Sequence, residues 1–289
     1  MQGAGMRWIA VAIAVILMPQ ASAWAESAPF PKAGEEYALS KSYETKSRGS
    51  NGSSGSSRGR DGFVERILKV SEVGIEVEYD LPKDATEKDR ASVWQLPARV
   101  LKAPGGAMEL LNRDELEARV DPWLKAANWT REDCGRMIFT WNAFRIECDP
   151  QSVIETIRAF DLHTPVVAEG ALYREEMARG PGTLAKIEAG PDGEIFTAEM
   201  EIDPAAVRRA QAESDVLVGE IMGTAVSFEE ALGKRSQEKV SGTIRVVLET
   251  DSAGRTWRKT ITSKLVTTRP DGEFEENDRV EIVERRRAR

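Results

Sequence analysis

Apolar and polar residues alternate with a period of two along much of this chain, and that spacing predicts antiparallel strands. In 74–81, Ile75, Val77, Tyr79 and Leu81 fall on one side and Glu76, Glu78 and Asp80 on the other. A strand takes this pattern when one face is buried and the other is solvated. Residues 63–70 form its hairpin partner through Ser71-Glu72-Val73-Gly74. The alternation returns in 194–202, where Phe196, Ala198, Met200 and Ile202 interleave with Thr197, Glu199 and Glu201. Gly190-Pro191-Asp192-Gly193 turns that strand onto 184–187. Three strands at 243–250, 256–268 and 279–284 then close the chain as a meander. Strands are also expected near 36–45, 93–101 and 108–111, with Pro97 marking an edge or a bulge.

Helical spacing interrupts the strands in a few places. Asn112 with Glu115 reads as a capping box for a helix carrying Leu116 and Val120. Asp121-Pro122 is expected to break it and start a second short helix with Trp123, Leu124 and Ala127. Asp149-Pro150 starts another helix, whose apolar stripe is Val153, Ile154, Ile157 and Phe160. Asp203-Pro204 opens a helix to about Ser214, and Ser227 with Glu230 caps a last one to about Arg235. The fold class is therefore α+β: antiparallel β-sheets, as meanders and hairpins, with several short amphipathic helices.

Composition shifts divide the chain. Arg7, the apolar run 8–18 and Ala21-Ser22-Ala23 predict a cleaved secretory signal peptide over 1–25. That run is too short for a hydrocarbon core of roughly 30 Å. No later stretch spans a membrane, so the mature chain is expected to carry no transmembrane segment. Residues 26–165 read as an α+β domain and 166–289 as a β-rich α+β domain ending in the three-stranded meander. Within the first, 48–62 (RGSNGSSGSSRGRDG) has no apolar residue to bury and reads as a flexible Gly/Ser loop. It lacks the Gly-Lys-Ser/Thr ending and following helix of a phosphate-cradling loop.

Export changes how the two cysteines read. Cys134 and Cys148 are equidistant from Trp141. A tight turn at Thr140-Trp141-Asn142 between 137–139 and 143–145 would set them opposite one another, at the separation a disulfide needs. The spacing is not that of a Cys-x-x-Cys redox pair.

The remaining composition excludes more than it selects. A net charge of −8 argues against nucleic acid as a partner. His163, the single histidine, lies in a loop with no Gly-x-Ser-x-Gly elbow in the chain. No cofactor, metal or catalytic residue is expected. Two carboxylates alone could support glycoside hydrolysis, but 48 acidic residues give no means of choosing them. The cluttered aromatic stretch offers Trp123, Trp129, Trp141 and Phe144 as contacts for a ligand or partner. The sequence thus reads as an exported, periplasmic or secreted protein. Its expected role is non-catalytic binding of a lipid or other amphipathic ligand, or of another envelope protein. The alternatives are a carboxylate-dependent hydrolase of envelope or extracellular glycan, and a structural or assembly factor.

Overall fold

The computed structural model describes residues 31–139, 143–163, 166–224 and 226–288. The expected signal segment lies outside the described residues, as does Trp141. The first half supplies β1 (Glu36–Gly49), β2 (Ser54–Ser71), β3 (Gly74–Asp80), the short helix α1 (Glu87–Ser92), β4 (Ala98–Lys102), β5 (Met108–Leu110) and α2 (Arg113–Ala126). A small hairpin, β6 (Met137–Phe139) with β7 (Ala143–Arg145), precedes α3 (Val153–Arg158). The second half supplies β8 (Leu172–Tyr173), β9 (Gly182–Thr183), β10 (Ala185–Gly190), β11 (Gly193–Glu201), α4 (Pro204–Met222), α5 (Phe228–Arg235), β12 (Lys239–Thr250), β13 (Thr256–Thr268) and β14 (Phe274–Arg287).

Ten of these strands form one antiparallel sheet in the order β10-β11-β12-β13-β14-β1-β2-β3-β4-β5. The last strand pairs with the first, from Tyr37 opposite Arg287 to Gly49 opposite Glu275. That pairing joins the two halves edge to edge. The buried apolar residues nevertheless form two clusters on it. One gathers Ile67, Val77, Tyr79, Val100, Leu116, Ile146, Ile157 and their neighbours. The other gathers Leu184, Phe196, Ala198, Val207, Ile244, Val246 and Leu248. Both clusters therefore lie on one continuous sheet.

The Gly/Ser stretch departs from expectation. Instead of a loop over 48–62, β1 and β2 stay in register from Glu36 opposite Arg66 out to Arg48 opposite Ser54. Backbone pairing needs no apolar side chain, and the glycines give room for the neighbouring strand's large ones. Tyr43 lies across Gly59, where a Cβ would sit 2.5 Å from the ring carbon Cε1. Arg279 covers the ring at 4.7 Å from its centroid.

Helix α2 also differs: it runs unbroken through Pro122. Leu116, Val120 and Leu124 are all buried at four-residue spacing, and this stripe holds the helix together. Pro122 lies on the exposed side, where the carbonyl it frees can meet water. Asn112 makes no side-chain cap. Its Oδ1 accepts from the Arg99 N–H at 2.8 Å and its Nδ2 donates to the Pro97 carbonyl at 3.2 Å, fastening the helix start to β4. Helix α4 is longer than expected and ends at Gly223 in the left-handed conformation, a glycine C-cap. Helix α1, not among the helices expected from the sequence, is capped by Thr86.

Helices α4 and α5 are clamped by Arg235, which donates to Asp215 at 2.7 and 2.8 Å and to Glu238 at 2.9 Å. The guanidinium holds the Asp215 carboxyl below the usual range, outweighing the opposing effect of burial. A carboxyl depressed in the folded state stabilises the fold above its unfolded pKa, and that contribution is lost as pH falls through the folded value. Acidification below about pH 4 therefore weakens the fold, and Asp215→Asn makes that loss shallower. Urea midpoints measured across the acid range test this; parallel pH dependence in the two proteins would refute it.

Candidate functional site

The first-half sheet alternates as its sequence predicts, and the alternation builds one wall of a cavity. Leu39 on β1, Glu65 and Ile67 on β2, Val77 and Tyr79 on β3 and Lys102 on β4 share a face, because Tyr37 pairs Glu65, Glu65 pairs Tyr79 and Ile67 pairs Val77. Arg285 on β14, opposite Leu39, extends this face past the chain's first strand. Helix α3 forms the roof. Asp149 accepts from the Gln151 N–H at 3.0 Å, and a 3-10 turn with Pro150 leads into the helix. That start directs the expected stripe, Val153, Ile154, Ile157 and Phe160, onto the sheet, and all four are buried. Phe160 packs on Phe63 with ring centroids 4.6 Å apart.

Sheet and roof do not close on one another. Between them is a cavity of about 1020 Å³, walled by Leu39, Ile67, Val77, Ile157, Phe160 and Leu162 among others. This is at the upper end of the roughly 300–1,000 Å³ that small-molecule sites span. It reaches from Arg285 on β14 to Lys102 on β4, four strand spacings or about 19 Å across the sheet.

Charged groups sit at both ends of this apolar space. At one, Arg285 donates to Glu65 Oε1 through Nη2 at 2.6 Å and Nε at 3.2 Å. Glu65 is 5% exposed. The Arg285 guanidinium also stacks 3.5 Å from the Tyr37 ring centroid. Burial alone would lower the Arg285 pKa, but Glu65 outweighs it and the guanidinium stays above its usual value. Burial first, and then the charges of Glu65 and Asp161, push the Tyr79 phenol well up, so it remains neutral. At the other end, Lys102 Nζ is 2.7 Å from Asp161 Oδ1, which also accepts from the His163 N–H at 3.3 Å. His163 packs its ring edge near Gly106, at the rim.

Trp123, Trp129 and Phe144, singled out by sequence, lie elsewhere. Trp123, Trp129 and Phe144 form a chain with the buried Trp94, at centroid spacings of 6.2, 5.4 and 6.1 Å. None of them lines the cavity. Trp123 Nε1 donates to the Ser92 carbonyl and Trp94 Nε1 to the Glu147 carbonyl, so the chain braces α2 against the residues around Cys148. The disulfide itself is present, with Cα atoms 5.7 Å apart.

Sequence reasoning missed Glu65 and Arg285. Arg285 lies in the basic run at the C-terminus, just past the strand expected over 279–284. Its strand pairs with β1, and its side chain reaches across that strand to Glu65, 220 residues away along the chain. Among the described residues no cluster of three or more His, Cys, Asp or Glu could hold a metal ion. No described helix is long and apolar enough to cross a membrane.

The sequence matches no family model and no curated protein. Among solved structures, lipovitellin, described for its lipid–protein interactions, superposes with a TM-score of 0.36 at 8% identity. That match covers 89% of this chain and 26% of lipovitellin, so the chain spans about a quarter of that protein's length. A hot-dog-fold protein of unknown function from Alicyclobacillus acidocaldarius gives a TM-score of 0.12 at 9% identity, covering 90% of this chain and 82% of its own. At these TM-scores neither likeness carries weight for this chain.

Proposed function

We propose that this chain is a non-catalytic carrier or receptor for an amphipathic, lipid-like ligand, held between the first-half sheet and α3. The observation that carries this reading is the cavity itself. It is large and elongated, its lining is mainly apolar, and the ion pairs Glu65–Arg285 and Lys102–Asp161 lie towards its opposite ends. Such a shape takes a hydrocarbon chain along its length and a polar group at an end. The disulfide supports work in an oxidising compartment, in keeping with the export expected from the N-terminal segment.

The glycan-hydrolase reading finds less support. That chemistry needs one protonated acid and one free carboxylate facing the same bond. Here two of the three acids on the lining, Glu65 and Asp161, are each committed to a cation, which leaves Glu72 without a second carboxyl to work with. An assembly role by strand addition is not favoured either. Edge strand β10 is exposed throughout, but it carries Lys186 and a register shift between Lys186 and Glu188, devices that blunt an edge.

The test is displacement of an uncharged fluorescent apolar probe from the purified chain, with Ile67→Trp as the control. Ile67 is buried and lines the cavity, so the larger ring occupies ligand space. Micromolar probe binding that falls at least about tenfold in Ile67→Trp is the expected result. Equal binding to both proteins would remove the cavity from the account.

A further inference from the structure

We infer that the Glu65–Arg285 end of the cavity reads an uncharged, hydrogen-bonding head group, a hydroxyl or an amide, in preference to a carboxylate or an ammonium. This rests on the cavity reading above and narrows its ligand class.

The geometry of the pair is uneven. Both donating nitrogens of Arg285, Nη2 and Nε, go to the same Glu65 oxygen, Oε1. Glu65 Oε2 and Arg285 Nη1 have no hydrogen-bond partner among the described residues. One face of the guanidinium is taken by the Tyr37 ring. Tyr37 is itself held by its hydroxyl donating to Glu35 Oε2 at 2.7 Å. Both members of the pair line the cavity. The pair thus adds one acceptor and one donor to the wall with no net charge between them, and Arg255, a further cation on the lining, is held by Asp251.

That combination selects by charge. A carboxylate head at Arg285 would stand beside Glu65, two anions to one cation. An ammonium at Glu65 would stand beside Arg285, two cations to one anion. Either leaves one charge out of water without a partner of its own, which is costly. A hydroxyl or amide does neither. It donates to Glu65 Oε2, accepts from Arg285 Nη1 and leaves the ion pair intact. The ligand class is thus a neutral single-chain amphiphile such as a monoacylglycerol or an acyl amide.

Three amphiphiles of equal chain length isolate the head group: monopalmitoylglycerol, palmitate and hexadecylamine, each below its aggregation concentration. Competitive displacement of the uncharged probe from the full chain is expected to rank monopalmitoylglycerol about tenfold tighter than either charged compound, the worth of one charge-assisted hydrogen bond. Glu65→Gln leaves Arg285 as an uncompensated cation, so in that variant the preference turns towards palmitate. Circular dichroism establishes that the variant is folded, and the ranking in the unmodified protein decides on its own if it is not. Palmitate or hexadecylamine binding as tightly as monopalmitoylglycerol would overturn the inference and leave the cavity reading in place. So would a folded Glu65→Gln with unchanged preference. Failure of all three to displace the probe would bring down the lipid-like ligand as well.

Discussion

Arg285→Ala lowers the unfolding free energy by about 3–5 kcal/mol, the range for stripping one partner from a buried ion pair. The magnitude follows from what is left behind. Glu65 is buried, and among the described residues Arg285 is its only cationic contact; without the guanidinium its charge stays on the apolar face of the sheet. The substitution also removes the packing of the guanidinium on Tyr37. Replacing both members together, as Glu65→Leu with Arg285→Met, leaves no stranded charge and recovers most of the loss. A surface pair gives the contrast. Arg48 and Glu276 join β1 to β14 in the same sheet, but their side chains are 70% and 40% exposed. Arg48→Ala therefore costs less than about 1 kcal/mol. Urea unfolding of the four proteins measures all of this. Arg285→Ala behaving like Arg48→Ala would mean that Glu65 finds water in the cavity, and that burial of the pair does not govern its energetics.

This contrast also locates what the amino-acid sequence could disclose. Local pattern was legible. The alternation of Ile75, Val77 and Tyr79 placed the buried face of β3, and the stripe Val153, Ile154, Ile157 and Phe160 placed the roof of the cavity. The caps at Asp149, Asp203 and Ser227 lie where short polar side chains precede helical spacing. The pairing of β14 with β1 was not legible, because nothing local distinguishes a frayed basic terminus from a strand that completes a sheet. From that pairing follow the single sheet, the order imposed on the Gly/Ser stretch and the burial of Arg285. Half of the candidate site was therefore readable as a face awaiting a partner, and its charged end was not. The aromatic cluster was legible as a cluster, but not in what it packs against. Rings close in sequence are as often spent bracing one helix against its neighbour as facing a ligand. Trp94, which belongs to the chain of rings, comes from a different stretch altogether.

The second large effect is expected at the disulfide. Cys134→Ser with Cys148→Ser removes a link across a loop with a sequence separation of 14, worth about 3 kcal/mol in the chain-entropy model. The hairpin it closes has little else to hold it. Strands β6 and β7 share only three register pairs, Met137 with Arg145, Ile138 with Phe144 and Phe139 with Ala143. A two-stranded ribbon of that size is marginal without other support. Its base is better anchored: Ile146 is fully buried and the Glu147 carbonyl accepts from Trp94 Nε1 at 3.2 Å. Opening the link should therefore loosen the hairpin first and the Trp129–Phe144 contact with it, while the sheet persists. Reduction is expected to shift tryptophan emission to the red, to lower the thermal midpoint by on the order of 10 °C and to leave the far-ultraviolet β signal nearly intact. Cys148 directly precedes the Asp149 cap of the segment that roofs the cavity, so probe affinity falls as well, by less than in Ile67→Trp. Reduced protein with an unchanged midpoint would show that Ile146 and the Trp94–Glu147 bond already fix this segment. Loss of the whole β signal would show instead that the clamp is a condition for the first-half core and not a local brace on its roof.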